Sequence, residues 1–398
     1  MKGTHPTLLA FGKALASALD EGFLALYVLD EPASGTSAIG RIIPSAWILT
    51  ASNPDLRAVR RTYRMVCSQL PLEPAGGPAV ISAEEWPTYL RLFPDRARTL
   101  LGNFRLIQGK PVLHEWEGPE PVTTLTSLAR VAAESLLCSA LVVGEHLSLE
   151  RQADLHARLR LTADDCLGRA PVRPHPVDNL IALHAYLDSV AGTWPDFAWD
   201  GSPPTDAPAR LPGLISLYSL GNQLVVVMAR LDRPVLQGTD WGTVAELVST
   251  EYENIVLATP WQLRLTGNTI LAADLTAGSF EHVWGIHLLA DCCPSDSQVV
   301  ASLISRPVQF LAERLPALYS TTAEADLSAL AHDLQNILLN SQLQAEVIAR
   351  RWGMSLPHPP GPLPGHEAPI HDRMVAIERQ FRWWAHRPAQ LPSTDPPG

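Results

Sequence analysis

Lysine is almost missing from this sequence. Only Lys2, Lys13 and Lys110 occur among 398 residues, and the remaining Lys/Arg cations are arginines. Charged residues make up 18% of the chain, and the formal net charge is −11. That balance excludes a generally basic nucleic-acid binder, so any polyanion contact has to come from a local patch. Cysteine is also scarce. Cys67, Cys138, Cys166, Cys292 and Cys293 are odd in number and contain no Cys-x-x-Cys pair. This excludes a disulfide framework and predicts a reducing, cytoplasmic setting. Gly-x-Ser-x-Gly, the phosphate-binding P-loop and Gly-x-Gly-x-x-Gly are all absent, which removes the commonest nucleophile and phosphate-loop signatures. No uninterrupted apolar run reaches membrane length. The most apolar window, Leu211 to Leu231, contains Asn222, Gln223 and two glycines and reads as buried core. The N-terminal apolar stretch is broken by Lys13, Asp20 and Glu21 and reads as an amphipathic helix, not a signal peptide. A membrane partner is not expected.

What is present is a globular composition, with 46% apolar residues and length enough for two or three domains. Two Pro-rich stretches, around Trp194–Gly213 and Leu356–Pro369, lack periodicity and read as linkers. The reading divides the chain into a core at 1–115, a helical domain at 120–194 and a linker at 195–212. A second mixed domain follows at 213–353, then a Pro-rich linker at 354–369 and a C-terminal helix and tail at 370–398. FLALYVL and SAWILTA carry continuous apolar runs, as strands buried on both faces do. Asn53-Pro54-Asp55 supplies a capping side chain and a proline to start a helix. PAVIS predicts another strand, with a helix near Glu84–Leu92. The pattern from Leu125 onward is helical. In the second half WQLRLTG, NTILAADL and HVWGIHLLA read as strands, and Ser295–Tyr319 and Ala323–Trp352 as long helices. The fold class expected is mixed α/β, with helical parts after each α/β part. The runs NFRLIQGKPVL and WQLRLTGNTIL echo each other loosely, as a degenerate duplication would.

Residues 26–113 resemble the nucleotidyltransferase superfamily, in its bacterial form with an appended helical domain. In that family a strand enters a Gly-Ser turn that cradles the nucleotide phosphates. A second strand then opens with Asp-x-Asp, whose carboxylates hold Mg²⁺. Here LYVL takes the first strand and WILTA the second. Gly35 and Gly40 fall at the turn glycines, Asp30-Glu31 replace Gly-Ser, and the metal-ligand positions fall at about Ile43 and Ser45. Neither Ile43 nor Ser45 binds Mg²⁺ as a carboxylate does, and Asp30 and Glu31 repel a triphosphate. The resemblance therefore implies a degenerate nucleotide site at Gly35, Gly40 and Ser45. No bound metal, no cofactor and no catalytic residue are expected.

Three further stretches carry candidate sites. Arg57, Arg60, Arg61 and Arg64 lie at i, i+3, i+4 and i+7, one helix face, and form a candidate anion or nucleic-acid surface, or a solvated face. His332, Asp333 and Asn336 match the His-Asp-x-x-Asn pattern of the sensor histidine kinase helix, which makes His332 a possible phosphoacceptor. The preceding HVWGIHLLADCC is similar to the end of a GAF-type sensor domain. His282, His287, Asp291, Cys292 and Cys293 cluster, but an i, i+5 histidine spacing suits neither a helix face nor a strand face. They read as core and turn residues, not metal ligands. The expectation is a catalytically inactive nucleotidyltransferase-like protein acting as a binding or scaffolding module. Its partner is a nucleic acid or a protein, and self-association through the helices of 295–352 is open. The alternatives are a signalling protein with a phosphotransfer helix, and an active nucleotidyltransferase with relocated carboxylates.

Overall fold

The computed structural model describes residues 6–29, 46–52, 55–68, 77–93, 100–115, 125–146, 176–191, 213–221, 223–232, 254–267, 280–290, 296–353 and 361–386, with scattered single positions between. The chain divides into two compact units. One joins residues 1–122 with 303–346 and 355–391, and the other joins 123–302 with 347–354 and 392–398. The units are cut differently from the successive domains read along the sequence: residues 303–346 and 355–391 pack with the N-terminal sheet.

The first unit begins with α1 (Pro6–Leu19), β1 (Phe23–Leu29), β2 (Ala46–Thr50), α2 (Leu56–Ser68), β3 (Ala79–Ser82), α3 (Trp86–Leu92) and β4 (Phe104–Gly109). The four strands form one sheet in the order β3-β2-β1-β4. β1 is antiparallel to β2 and to β4, and β2 is parallel to β3. Ala25, Leu26 and Tyr27 in succession have no exposure, so both faces of β1 are covered, as its unbroken apolar run predicts. The ring of Trp47 on β2 lies 5.6–6.0 Å from those of Phe104, Tyr89 and Trp86, an edge-to-face cluster that pins α3 and β4 to the sheet.

The second unit contains α4 (Leu125–Cys138), a 3₁₀ segment (Ser139–His146), α5 (Pro176–Ala191), β5 (Leu214–Leu220), β6 (Gln223–Met228), β7 (Asn254–Ala258), α6 (Pro260–Gly267) and β8 (Phe280–Gly285). Its sheet runs β7-β6-β5-β8, again with one parallel pair, β6 with β7, and antiparallel pairs elsewhere. Successive β6 residues feed two cores. Leu224, Val226 and Met228 enter one, and Val225 and Val227 enter the other. The apolar window at 211–231 is therefore a hairpin in the sheet. The chain continues with α7 (Asp296–Glu313), α8 (Pro316–Ser320), α9 (Glu324–Trp352) and α10 (Ile370–Ala385). On α10, Met374, Ile377, Phe381 and Trp384 are buried along one stripe. No described helix is long and apolar enough to cross a membrane.

Three sequence expectations are corrected. WQLRLTG is not a strand; it forms most of α6. Thr259 and Gln262 form a reciprocal capping box there, with each side chain bonded to the other's backbone N–H at 3.1–3.4 Å. Pro260 at the first helical position fixes the start. The echo between NFRLIQGKPVL and WQLRLTGNTIL consequently pairs a strand with a helix. The cap of α2 is Asp55, whose Oδ1 accepts from the Arg57 N–H at 2.9 Å; Asn53, Pro54 and the run NTILAADL lie outside the described residues.

Gly109 (φ +94°) and Gly285 (φ +85°) end the two edge strands in the left-handed region. A Cβ at either position collides with a neighbouring carbonyl oxygen, that of Leu24 or Ile215. Gly109→Ala is expected to lower the unfolding free energy in urea by about 2–4 kcal/mol. Gly102→Ala, where a Cβ meets nothing within 4 Å, should leave stability far closer to wild type.

Candidate functional site

The helix α2 forms because apolar positions recur at helical spacing, with Val59, Tyr63 and Val66 buried inward. The four arginines of its basic row do not share one fate. Arg60 turns inward, and its guanidinium donates to the Leu318 carbonyl and, at 2.9 Å, to the Thr321 carbonyl, both around α8. Burial and the like charge of Arg64 lower its pKa, although a guanidinium stays charged at neutral pH. Arg57, Arg61 and Arg64 are exposed. Among the described residues no carboxylate pairs with them. Met65 beside them is 49% exposed. The helix thus offers three arginines to solvent while the fourth fastens it from behind. Its spacing fits contact with several phosphates or carboxylates of one polyanion.

His332 lies exposed on α9. Its Nδ1 is 3.3 Å from His366 Nδ1, and its Nε2 is 3.1 Å from Asn336 Nδ2, so both ring nitrogens are engaged. His282 and His287 stack with centroids 4.5 Å apart and planes 9° from parallel. The turn at Gly285 brings this i, i+5 pair together, which neither a helix nor a strand face can do. Asp291, Cys292 and Cys293 lie outside the described residues, and among the described residues no group of three or more His, Cys, Asp or Glu is placed to hold a metal. Gly35, Gly40 and Ser45, with Asp30, Glu31 and Ile43, also lie outside them. In the second unit the corresponding connection is short: Leu220 pairs with Gln223, so only residues 221 and 222 join β5 to β6.

Two buried polar anchors were not singled out in the sequence. In the first unit Ser82 and Glu85 form a capping box at the start of α3. The Glu85 carboxylate also accepts two bonds from Arg382 Nη1 of α10, at 2.7 and 3.0 Å. The same guanidinium bonds Glu378 through Nε and Nη2 at 3.0 and 2.8 Å. Tyr319 donates to Glu378 at 3.0 Å. Burial works to lower the Arg382 pKa, and the charges of Glu378 and Glu85 outweigh it, leaving it raised; burial raises that of Glu378. The guanidinium engages both oxygens of Glu85 and Oε1 of Glu378. In the second unit Gln262 of the Thr259/Gln262 box donates from Nε2 to His184 Nδ1 on α5. His184 Nε2 faces Ser135 Oγ at 3.5 Å. Burial lowers the His184 pKa to about 4, so this ring is neutral at pH 7. The spacings Ser82-x-x-Glu85 and Thr259-x-x-Gln262 were legible signals of both boxes. Their distant partners were not.

No protein-family model, characterised protein or solved structure matches this chain.

Arg382→Met strands two buried carboxylates. It should lower the unfolding free energy by about 3–5 kcal/mol in denaturant titrations. His184 has a different signature. Its folded pKa, about 4, lies below the ordinary 6.5, so its stabilising effect is complete above pH 6.5 and is lost as pH falls towards 4. The stability difference between wild type and His184→Gln should shift against wild type by about 3 kcal/mol between pH 7 and pH 4. A difference that stays flat across that window would remove the burial argument.

Proposed function

We propose that this chain is a non-catalytic, nucleotidyltransferase-like binding module whose α2 arginine row docks a single nucleic-acid strand. The observation that carries the reading is the division of labour on α2. Three exposed arginines stand in a row on a helix held by a fourth, in a chain of net charge −11. An acidic protein that keeps three exposed arginines together, with no carboxylate paired to them among the described residues, concentrates its attraction for polyanions at one place. Support for the nucleotidyltransferase-like part comes from β1 and β2. They are adjacent antiparallel strands of one sheet, at the positions assigned by resemblance to the two strands that flank the nucleotide turn. The non-catalytic part rests on Ile43 and Ser45 standing where metal-binding carboxylates belong.

The test is binding of a labelled single-stranded oligonucleotide at several salt concentrations. Three released counterions give a log–log slope of about −2. The variant Arg57→Gln/Arg61→Gln/Arg64→Gln, with Arg60 kept, should bind at least tenfold more weakly and bring the slope towards zero. Equal affinity and slope in the variant overturn the docking surface. Preference for an acidic peptide over the oligonucleotide overturns the choice of partner. Transfer of a nucleotide from a Mg²⁺-bound nucleoside triphosphate overturns the non-catalytic reading.

A further inference from the structure

The two sheets agree in more than strand order. β1 reads Leu26-Tyr27-x-Leu29 and β5 reads Leu217-Tyr218-x-Leu220. In both, the register against the antiparallel edge strand slips between that Leu and that Tyr. The edge strands read Phe104-x₄-Gly109 and Phe280-x₄-Gly285, each ending in a glycine of positive φ. The N–H one residue after each glycine donates to the central strand, Lys110 to Leu24 at 2.9 Å and Ile286 to Ile215 at 3.1 Å. The tyrosine hydroxyls donate to the carbonyls of those same two residues after the glycines, Tyr27 to Lys110 and Tyr218 to Ile286, both at 3.4 Å. Ala51 N–H bonds the Gly22 carbonyl as Ala229 N–H bonds that of Gly213. After the parallel outer strand, Ser82/Glu85 and Thr259/Gln262 open a helix with the same reciprocal box. A bulge, a left-handed glycine, a tyrosine contact and a capping box have no physical need to recur together at matching register.

The helices add a second regularity. The first sheet is closed by helices from the far end of the chain. Its Glu85 and its Val80 carbonyl receive Arg382 from α10, and Arg60 reaches the carbonyls of Leu318 and Thr321. The second sheet receives the helices that follow the first. Leu257 N–H of β7 donates to Ser139 Oγ at 2.5 Å, and Gln262 meets His184 on α5. Each sheet is thus closed by the other half's helices, at matching places: the outer parallel strand and the capping-box residue.

We infer that the chain is two copies of one half-length unit joined end to end, with each copy's helices seated on the other copy's sheet. The partner each sheet fits is a second copy of its own kind of half-chain. A covalent fusion of such an exchanged pair fixes the stoichiometry at one to one. It also lets the copies diverge, as the two-residue β5–β6 connection and the neutral His184–Gln262 anchor have done.

Hydrogen–deuterium exchange on the full chain tests the exchange of helices. Arg382→Lys should speed exchange about tenfold at Val80–Tyr89 and leave 254–267 unchanged. Ser139→Ala should speed exchange of the Leu257 amide and leave 79–82 unchanged. If Arg382→Lys instead loosens 254–267, or Ser139→Ala loosens 79–82, each half keeps its own helices and the inference fails. The chain made as two co-expressed pieces, broken between Asp200 and Gly201, gives a second readout. One non-covalent particle of the intact mass supports the inference. Pieces that part in native buffer overturn it.

Discussion

A single buried guanidinium, that of Arg382, ties the sheet of the first unit to a helix from the far end of the chain. It joins Glu85, at the head of α3, to Glu378 on its own helix and to the β3 carbonyl of Val80, across about three hundred residues of sequence. Taking three charges out of water is expensive, and their mutual attraction repays it only when the geometry is tight and the remaining lone pairs are filled. Here the bonds from the guanidinium to the two carboxylates are 2.7–3.0 Å long, and Tyr319 donates to the same Glu378 oxygen that Arg382 reaches. The apolar stripe of α10 could slide or rotate on an apolar surface; a forked donor between two carboxylates allows one register. The anchor therefore contributes specificity at least as much as stability.

The second unit solves the same problem without charge. Gln262 keeps the capping role of Glu85, since its amide oxygen accepts from the Thr259 N–H. Its NH₂ group then finds a neutral imidazole in place of a guanidinium. A buried neutral pair avoids the desolvation of ions but ties the unit to the protonation state of one histidine. Two solutions at equivalent places follow from the local constraint they share: the first N–H groups of a buried helix must be satisfied, and the residue that does so has one more group to partner.

The sequence showed what depends on neighbours along the chain. FLALYVL, AWILT and AVIS were legible as strands because both faces are covered and the apolar runs are unbroken. The mixed α/β class and the long helix α9 followed from the same periodicities. WQLRLTG was misread because an apolar, β-prone run says nothing of the capping box just before it, which decides the matter. The echo between NFRLIQGKPVL and WQLRLTGNTIL misleads for the same reason; in the duplication proposed above, Phe104–Leu113 aligns with Phe280–Leu289, where three identities, Phe, Gly and Leu, mark a strand, a left-handed turn and a core contact. At the candidate site the spacing put four arginines on one face. Which of them faces solvent depends on α8, some 250 residues away, and no local pattern separates Arg60 from its neighbours. The buried anchors were invisible for the same reason, since charged residues are read as surface unless their partners are known.

The account stands on the claim that sheet and helix from opposite ends of the chain are joined through Glu85 and Arg382. A double-mutant cycle isolates that join. Glu85→Gln keeps the capping box, as Gln262 does naturally, and Arg382→Met keeps an unbranched apolar stem while removing the guanidinium. Unfolding free energies of wild type, both single variants and the double variant should give a coupling energy of about 1–3 kcal/mol, with the double variant losing less than the two single losses combined. Strict additivity would mean that the two side chains do not meet, and the described architecture of the first unit would be contradicted.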